Sequence, residues 1–432
     1  MKIAVIGAGI SGLSAAWQLS RDGHEVSLYE AGQYFGGHTN TVDIEVDGQR
    51  FGVDTGFLVF NHRTYPNLVR VFEELDVHTT ASDMSFAVKM PMSDAPHARV
   101  LEWAGSNLDT VFAQRSNLLS PRFWRMLRDI LRFNRETTAM ALMPGAMEET
   151  PLGDFLTANG YSDEFRDWYL LPMAGCIWSC PTAQMLAFPL ATFVRFCHNH
   201  GLIQVSDRPQ WHTVTGGARH YVQKMLAEIP NKFLNTPVRS VSRVDIGMQQ
   251  VRVDSALGER VYDHVILAAH SDQTLAMLED ASAAERAILS AVAYQPNRAV
   301  LHTDASCLPQ RQKAWSAWNY ESAGPGESEV CVHYLLNKLQ PLPVETPVIV
   351  SLNPLHEPDP ATVLGSFDYA HPVFDGPAIA AQRKLAAVQG TRNTWFAGAW
   401  TGYGFHEDGL KSGLAVAEAI SAMTSLGTQR AA

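Results

Sequence analysis

The chain of 432 residues has no apolar run of the roughly eighteen residues that a membrane-spanning helix needs. It has no signal-peptide pattern ahead of "KIAVIGAG", which begins at Lys2, so a cytoplasmic protein is expected. It is short of positive charge: 33 lysines and arginines stand against 44 acids, a net charge of −11. That excludes non-specific nucleic-acid binding. It is also poor in cysteine. Five residues, an odd number without the spacing of a secreted scaffold, read as free thiols in a reducing compartment. Cys176, Cys180, Cys197, His198 and His200 are close in sequence but lack a second clean ligand pair, so no metal site is expected. Charged residues make up only 18% against 46% apolar, which excludes a disordered chain and leaves enough core for two or three domains.

What the chain does have is a dense N-terminal motif. Ile3 to Ile6 form a short apolar run, the pattern of a strand buried on both faces. Gly7-Ala8-Gly9-Ile10-Ser11-Gly12 follows at once, and helical periodicity appears in Leu13, Ala16, Trp17 and Leu19. Gly23 ends that helix, and residues 26–30 read as the next strand. Strand, glycine turn, helix, strand and acid in this order make a dinucleotide fingerprint informative. Gly7 permits the tight turn, Gly9 lets a pyrophosphate approach the backbone, and Gly12 lets helix and strand pack closely. The helix N-terminus offers N–H donors to the phosphates, and Glu30 is placed to accept from a ribose diol. The competing reading is a chance glycine turn in a purely structural unit.

The fingerprint alone serves NAD or FAD, and the following residues favour FAD. Gly36-Gly37-His38 makes a second turn with accessible backbone. Val42, Ile44 and Val46 then alternate with Asp43 and Glu45 up to Asp47-Gly48, a strong hairpin signal. A nicotinamide dehydrogenase more often continues with another helical crossover. A hairpin ending on Asp54-Thr55-Gly56 suits a flavoprotein whose chain leaves the nucleotide domain early and returns. Two returns are legible. One is a meander over 238–244 and 251–254, a turn at Gly258 and the apolar run 265–269; the other is a strand at 394–397 before a glycine loop. A second fingerprint is lacking, because Thr215-Gly216-Gly217 and Gly324-Pro325-Gly326 have no flanking strand and helix. A dedicated NAD(P)H domain is therefore not expected, and dioxygen, a quinone or a protein is left to exchange electrons with the flavin, unless one site serves two substrates in turn.

The motifs "VIGAGISGLSAAW", "FGGHTNTVD", "GVDTGFLVFN", "AWSAWNY", "HPVFD" and "FAGAWTGYGFHEDGLKSG" span essentially the whole chain. With them the sequence resembles the flavin amine-oxidase superfamily. More closely, it resembles the predicted NAD/FAD-binding oxidoreductases related to the N-terminal domain of plant cyclopropane-fatty-acid synthases. The resemblance implies an α/β fold, with a Rossmann-like FAD-binding domain of the glutathione-reductase type and an interleaved α+β substrate domain. Segments 1–80, 206–272 and 386–425 are expected to build the first, and 81–205 and 273–385 the second.

It also implies non-covalent FAD. Gly7, Gly9, Ile10, Ser11 and Gly12 would lie at the pyrophosphate and Glu30 and Ala31 at the adenosine ribose. Gly36, Gly37 and His38 would lie near the phosphates, Gly56, Phe57 and Leu58 beside the flavin, and Val238 at the adenine, with Ala268 in the same set. Gly398, Ala399, Asp408, Gly409 and Leu410 would meet the ribityl chain and the pyrimidine edge. There a helix starting near Gly409 would aim free N–H groups at the charge that gathers on a reduced flavin. Two departures stand out. "YQPNRAVLHTD" at 294–304 offers Asn297 and Arg298 where many amine oxidases place a lysine near the flavin, which counts against classical amine oxidation. No cysteine follows Cys331, which counts against covalent attachment.

The remainder reads as a substrate half. Residues 170–202 mix apolar bulk with prolines and suit either a hydrophobic tunnel or plain core. Trp315, Trp318, Asn319 and Tyr320 either close the pocket or pack the core. His406 is the candidate general acid or base, while Asp408 also suits a helix cap. In "SPRFWRMLRDILRFNR", Ser120 and Pro121 are good N-cap and N1 residues. Phe123, Leu127, Ile130 and Leu131 share a stripe, and five arginines between Arg122 and Arg135 fall largely on another. That pattern fits either a solvated face or a basic helix resting on the inner membrane surface. The reading is an FAD-dependent oxidoreductase moving hydride between flavin and an apolar small-molecule or lipid substrate, such as a fatty-acyl chain. A flavin amine oxidase, an accessory flavoprotein to a cyclopropane-synthase-like methyltransferase, and a nicotinamide dehydrogenase remain the alternatives.

Overall fold

The apolar run Lys2–Ile6 becomes the middle strand of a five-stranded sheet ordered Asn231–Phe233, Glu25–Tyr29, Lys2–Ile6, His264–Leu267, Thr394–Phe396. The structure, a computed structural model, describes all residues except 94–98, 143–149, 179–180, 205–207, 247, 325–329 and 432. Every neighbouring pair in this sheet is parallel. Parallel central strands are covered on both faces, which is why Ile3, Ala4, Val5, Val265, Ile266 and Leu267 are wholly buried. Three stretches distant in sequence thus deliver their carboxyl ends side by side. The helix Ile10–Arg21 follows the glycine turn directly and stops before Gly23, whose φ of +83° is left-handed.

The hairpin and the meander form as the residues suggest. Thr41–Val46 pairs antiparallel with Gln49–Asp54, and Asp47 and Gly48 both take positive φ, as a type I′ turn requires. Val238–Ile246, Met248–Ser255 and Gly258–Tyr262 form the meander that feeds His264–Leu267. The second large sheet is mixed and seven-stranded. Its order is Val363–Val373, Ala293–His302, Ile349–Leu352, Cys331–Leu335, Trp318–Glu321, Phe86–Pro91, Val100–Ala104.

Helices between residues 108 and 199 pack a separate core around Phe133, Phe165, Phe193 and Phe196. Ser120 caps the helix Pro121–Ala141 through Phe123 N–H at 3.3 Å. Its inward face differs from the expected stripe: Phe123, Met126 and Phe133 are buried, while Leu127 is only partly so and Leu131 is exposed. Phe133 fixes the rotation by packing on Phe165 and Phe193, with ring centroids 5.2 and 6.4 Å away. Among the described residues, no helix is long and apolar enough to cross a membrane.

Candidate functional site

The strand ends, the hairpin exit and the inner wall of the seven-stranded sheet enclose one cavity of about 870 Å³. Gly7 has φ +98°, and a Cβ there would lie 2.8 Å from Ala268 O. A Cβ on Gly12 would lie 1.8 Å from Gly7 O, so the turn can close only on glycine. Gly9 differs: its backbone is ordinary, and a Cβ would meet nothing within 4 Å. Glu30 accepts Ala8 N–H at 2.8 Å and Gly32 N–H at 2.7 Å, which fixes its carboxylate at the end of the second strand.

Five histidines line the same cavity: His38, His200, His270, His371 and His406. His38 is half-buried, its buried Nε2 has no partner, and its ring stacks 4.9 Å from Tyr369. Burial pushes its pKa well below the usual value. His371 takes Asn297 Nδ2–H on its Nδ1 at 2.9 Å, and Asn353 fixes that amide by donating to Asn297 Oδ1 at 2.7 Å. A neutral His371 therefore carries its proton on Nε2, and burial holds its pKa down to about 4. His270 stacks on Tyr294 at 4.3 Å.

His406 stacks on Phe57 at 3.8 Å and shares a 2.6 Å hydrogen bond with Tyr221 Oη, which in turn meets Thr39 Oγ1 at 2.5 Å. Burial depresses its pKa to about 3. It offers no imidazolium proton near neutrality, so a general-acid role in that form does not fit. As the site of an apolar and aromatic contact, it does fit.

The triplet His406-Glu407-Asp408 divides its work. Glu407 accepts from Asn67 N–H, Asn67 Nδ2 and Leu68 N–H at 2.7–3.0 Å, capping the neighbouring helix Pro66–Glu74. Asp408 accepts Phe405 N–H at 3.0 Å and caps its own helix. That helix begins at His406, not near Gly409, and Gly409 N–H is already bonded to Phe405 O at 3.1 Å. The free donors of its first turn therefore lie three residues earlier than the sequence implied. Gly409 instead lets two helices meet, because a Cβ there would lie 2.7 Å from Ile10 Cγ2.

The cavity brings together Gly7, Gly9, Ile10, Ser11, Glu30, Ala31, Gly36, Gly37, His38, Gly56, Phe57, Leu58, Val238, Ala268, Gly398, Ala399 and His406. Gly12, Asp408, Gly409 and Leu410 stand behind that wall. Trp318 lines the cavity, whereas Trp315, Asn319 and Tyr320 do not. Trp315 donates to Pro309 O at 2.7 Å, and Asn319 braces a turn through Ser316.

The chamber beyond was not foreseen in detail. Tyr65, Met84, Trp211, Tyr334, Val350 and Leu352 come from scattered segments, and no local pattern marks them. From the 170–202 stretch, Cys176, Ile177, Phe196, His200 and Leu202 face the cavity; Cys180 lies outside the described residues. Among the described residues, the trio close enough to hold a metal ion is Glu321, Cys331 and His333, none of it from that stretch. Its polar atoms are engaged by one another, by Lys89 at 2.8 Å and by Ser351 at 2.6 Å.

The sequence matches the flavin-containing amine oxidoreductase family over residues 10–421. The chain belongs to that family. As a flavin-containing amine oxidoreductase it is an oxidoreductase, and its cofactor is a flavin. It is 39% identical to the zeta-carotene desaturase of Zea mays over 75 residues, which cover 17% of the chain and 12% of the desaturase. It spans only 12–14% of the length of three such curated relatives. Its fold is similar to that of a cyclohexylamine oxidase from Brevibacterium oxydans IH-35A, with TM-score 0.68 and 16% identity over 98% of this chain and 99% of the other. It is likewise similar to a CLA-producing fatty acid isomerase from P. acnes, with TM-score 0.64 and 15% identity over 96% of this chain and 97% of the other.

The residues present fit a flavin adenine dinucleotide. The cavity is at the large end of ligand pockets, which run to about 1,000 Å³. Gly9 opens directly onto it, and the orphaned His38 Nε2 supplies a polar contact there.

The cavity histidines also set a pH dependence. His200 and His371 are held near 4 and His406 near 3, chiefly by burial, against about 6.5 in an unfolded chain. Between those values the unfolded state binds more protons, so stability falls as pH drops through that window. Asp54 and Asp408, raised to about 6 by burial, oppose this between about 4 and 6. The histidines carry the larger combined shift. The urea midpoint of the cofactor-free chain is expected to fall steadily from about pH 7 to about pH 4.

Proposed function

We propose that this chain is an FAD-dependent oxidoreductase that holds its cofactor non-covalently and transfers hydride between the flavin and an apolar, fatty-acyl substrate. The observation that carries the reading is the chemistry of the cavity lining. Among the described residues it contains no lysine or arginine, and its two acids are Glu30, already fixed by backbone amides, and Asp368, which is exposed. The chamber walls are Ile177, Phe196, Leu202, Trp211, Trp318 and their like. An ammonium group buried there would lack a counter-charge, whereas an acyl chain would be desolvated at no polar cost. The likeness to a carotene desaturase and to a fatty acid isomerase supports the same substrate class, as does the resemblance to the N-terminal domain of cyclopropane-fatty-acid synthases.

In this reading segments 1–80, 206–272 and 386–425 form a glutathione-reductase-type cofactor unit, and the remainder forms the substrate unit. When bound, the flavin supplies the hydride acceptor. The chain's own groups orient and exclude water. Gly7, Gly9 and Ser11 would present backbone to the pyrophosphate, and Glu30 would meet the ribose. Phe57, His406 and Trp318, which line the cavity, would wall the reacting end. Asn353 and Asn297 lock the His371 ring with its Nε2 proton available, beside the strand region where many amine oxidases carry a lysine. With the lysine replaced by this neutral relay, the site is poorly suited to amine oxidation.

Anaerobic titration of the purified flavoprotein tests the proposal. Acyl lipids are expected to bleach the flavin and amines to leave it oxidised. Bleaching by amines, with peroxide released on admitting air, would establish amine oxidation instead.

A further inference from the structure

We infer that the outer face of the helix Pro121–Ala141 is a docking surface for an anionic lipid bilayer. At about 100° per residue, Trp124, Arg128, Leu131, Arg135 and Leu142 fall within roughly 60° of one another. All five are exposed, so apolar and cationic side chains alternate down a single line. Just before the helix, Leu118 and Leu119 are exposed on the turn Arg115–Leu119, with Leu119 88% exposed. Trp124 Nε1–H donates to Leu118 O at 2.9 Å, which pins the half-exposed indole against that turn. Six of the thirteen exposed large hydrophobics among the described residues lie between Leu108 and Leu142, a concentration that a solvated face does not require.

The charges on this face exceed what the fold neutralises. Glu164 is engaged by Arg122 at 2.6 Å, leaving Arg125 at 3.5 Å. Glu136 is engaged by Arg132 at 3.0 Å and Tyr161 at 2.6 Å, leaving Arg135 at 3.9 Å and 78% exposed. Arg128 is 75% exposed, 3.5 Å from an Asp129 whose other oxygen holds Ser162. In a chain of net charge −11, a local basic surplus beside exposed Trp and Leu matches phosphate headgroups above acyl chains. A second copy of the chain is a poorer occupant, because a two-fold contact would bring the arginine line against itself.

The opposite face of the helix connects this surface to the site. Phe133 packs on Phe193 of the helix Leu190–Asn199, and Phe196 and His200 line the cavity from the same helix and its C-terminal cap. Docking would place the chamber wall one helix layer from the lipid.

Co-sedimentation of the full chain with vesicles tests this without any turnover, so its outcome is separate from that of the flavin reading. Vesicles of phosphatidylcholine mixed with equal phosphatidylglycerol are expected to bind the chain, and pure phosphatidylcholine to bind it far less. Binding should weaken with salt. Arg128→Glu with Arg135→Glu is expected to lower it by at least about 25-fold, and Leu119→Ser with Leu131→Ser to lower it independently. All four positions are exposed, so folding is preserved. Absence of binding to anionic vesicles, or binding unaffected by either pair of substitutions, would overturn the inference. So would variants that change self-association in sedimentation velocity but leave vesicle binding intact.

Discussion

Gly9→Val is expected to give a folded protein that no longer retains flavin. Gly9 sits at φ −68° and ψ 179°, a conformation open to any residue, and its missing side chain faces empty cavity. A valine there would not disturb the turn but would occupy the space against which the pyrophosphate is to lie. Loss of charge-assisted N–H contacts to phosphate is expected to weaken cofactor affinity by at least about 100-fold. Gly12→Ala would behave differently, because its Cβ would collide with Gly7 O and the turn itself would fail. Circular dichroism and thermal unfolding of the apoprotein, read beside flavin fluorescence quenching, separate the two variants. Gly9→Val binding flavin as tightly as the parent would remove the glycine turn from the cofactor site.

The second large effect concerns the strand that brings the C-terminal loop to the cavity. Arg243 leaves the meander and is almost fully buried. Its Nη1 meets Asp280 at 2.8 Å, its Nε donates to Thr394 Oγ1 at 2.9 Å, and its Nη2 pairs with the equally buried Glu285. Thr394 opens the last parallel strand, which leads into Gly398 and Ala399 on the cavity wall. Arg243→Ala strands the Glu285 carboxylate without a counter-charge, and such breaks cost about 3–5 kcal/mol. The urea midpoint should fall accordingly at unchanged m-value. Arg243→Met with Glu285→Gln should recover most of the loss. A glutamine amide oxygen can keep the helix cap that Glu285 provides to Ser282 N–H at 2.7 Å, without the carboxylate's charge. A single variant as stable as the parent would show that the buried pair contributes nothing.

The parallel sheet, its glycine turn and the hairpin were legible because their constraints are local. Gly7 and Gly12 are demanded by contacts around one turn, Asp47-Gly48 by the twist of one hairpin, and the buried strands by unbroken apolar runs. The chamber was not legible, since Tyr65, His200 and Trp211 meet only after two sheets and a helical layer have assembled. Nor was the Asn353–Asn297–His371 relay, which joins separate segments: Asn297 stood out in the sequence, but nothing there linked it to Asn353 or His371. Leu131 pointed outward because the partners of Phe133 are distant in the chain, and periodicity alone carries no information about them. Gly409 runs the other way: the resemblance places it at the ligand, while in the structure its close neighbours are Ile10 and Ser11 of the first helix.

The account rests on distant segments forming one cradle for a dissociable flavin adenine dinucleotide. Purified chain, denatured with acid and centrifuged, tests this directly. A yellow supernatant containing about one equivalent of intact FAD per chain, over a colourless pellet, is the expected result. A chain that is colourless from the outset and takes up no added FAD, or a pellet that keeps the colour, would contradict it.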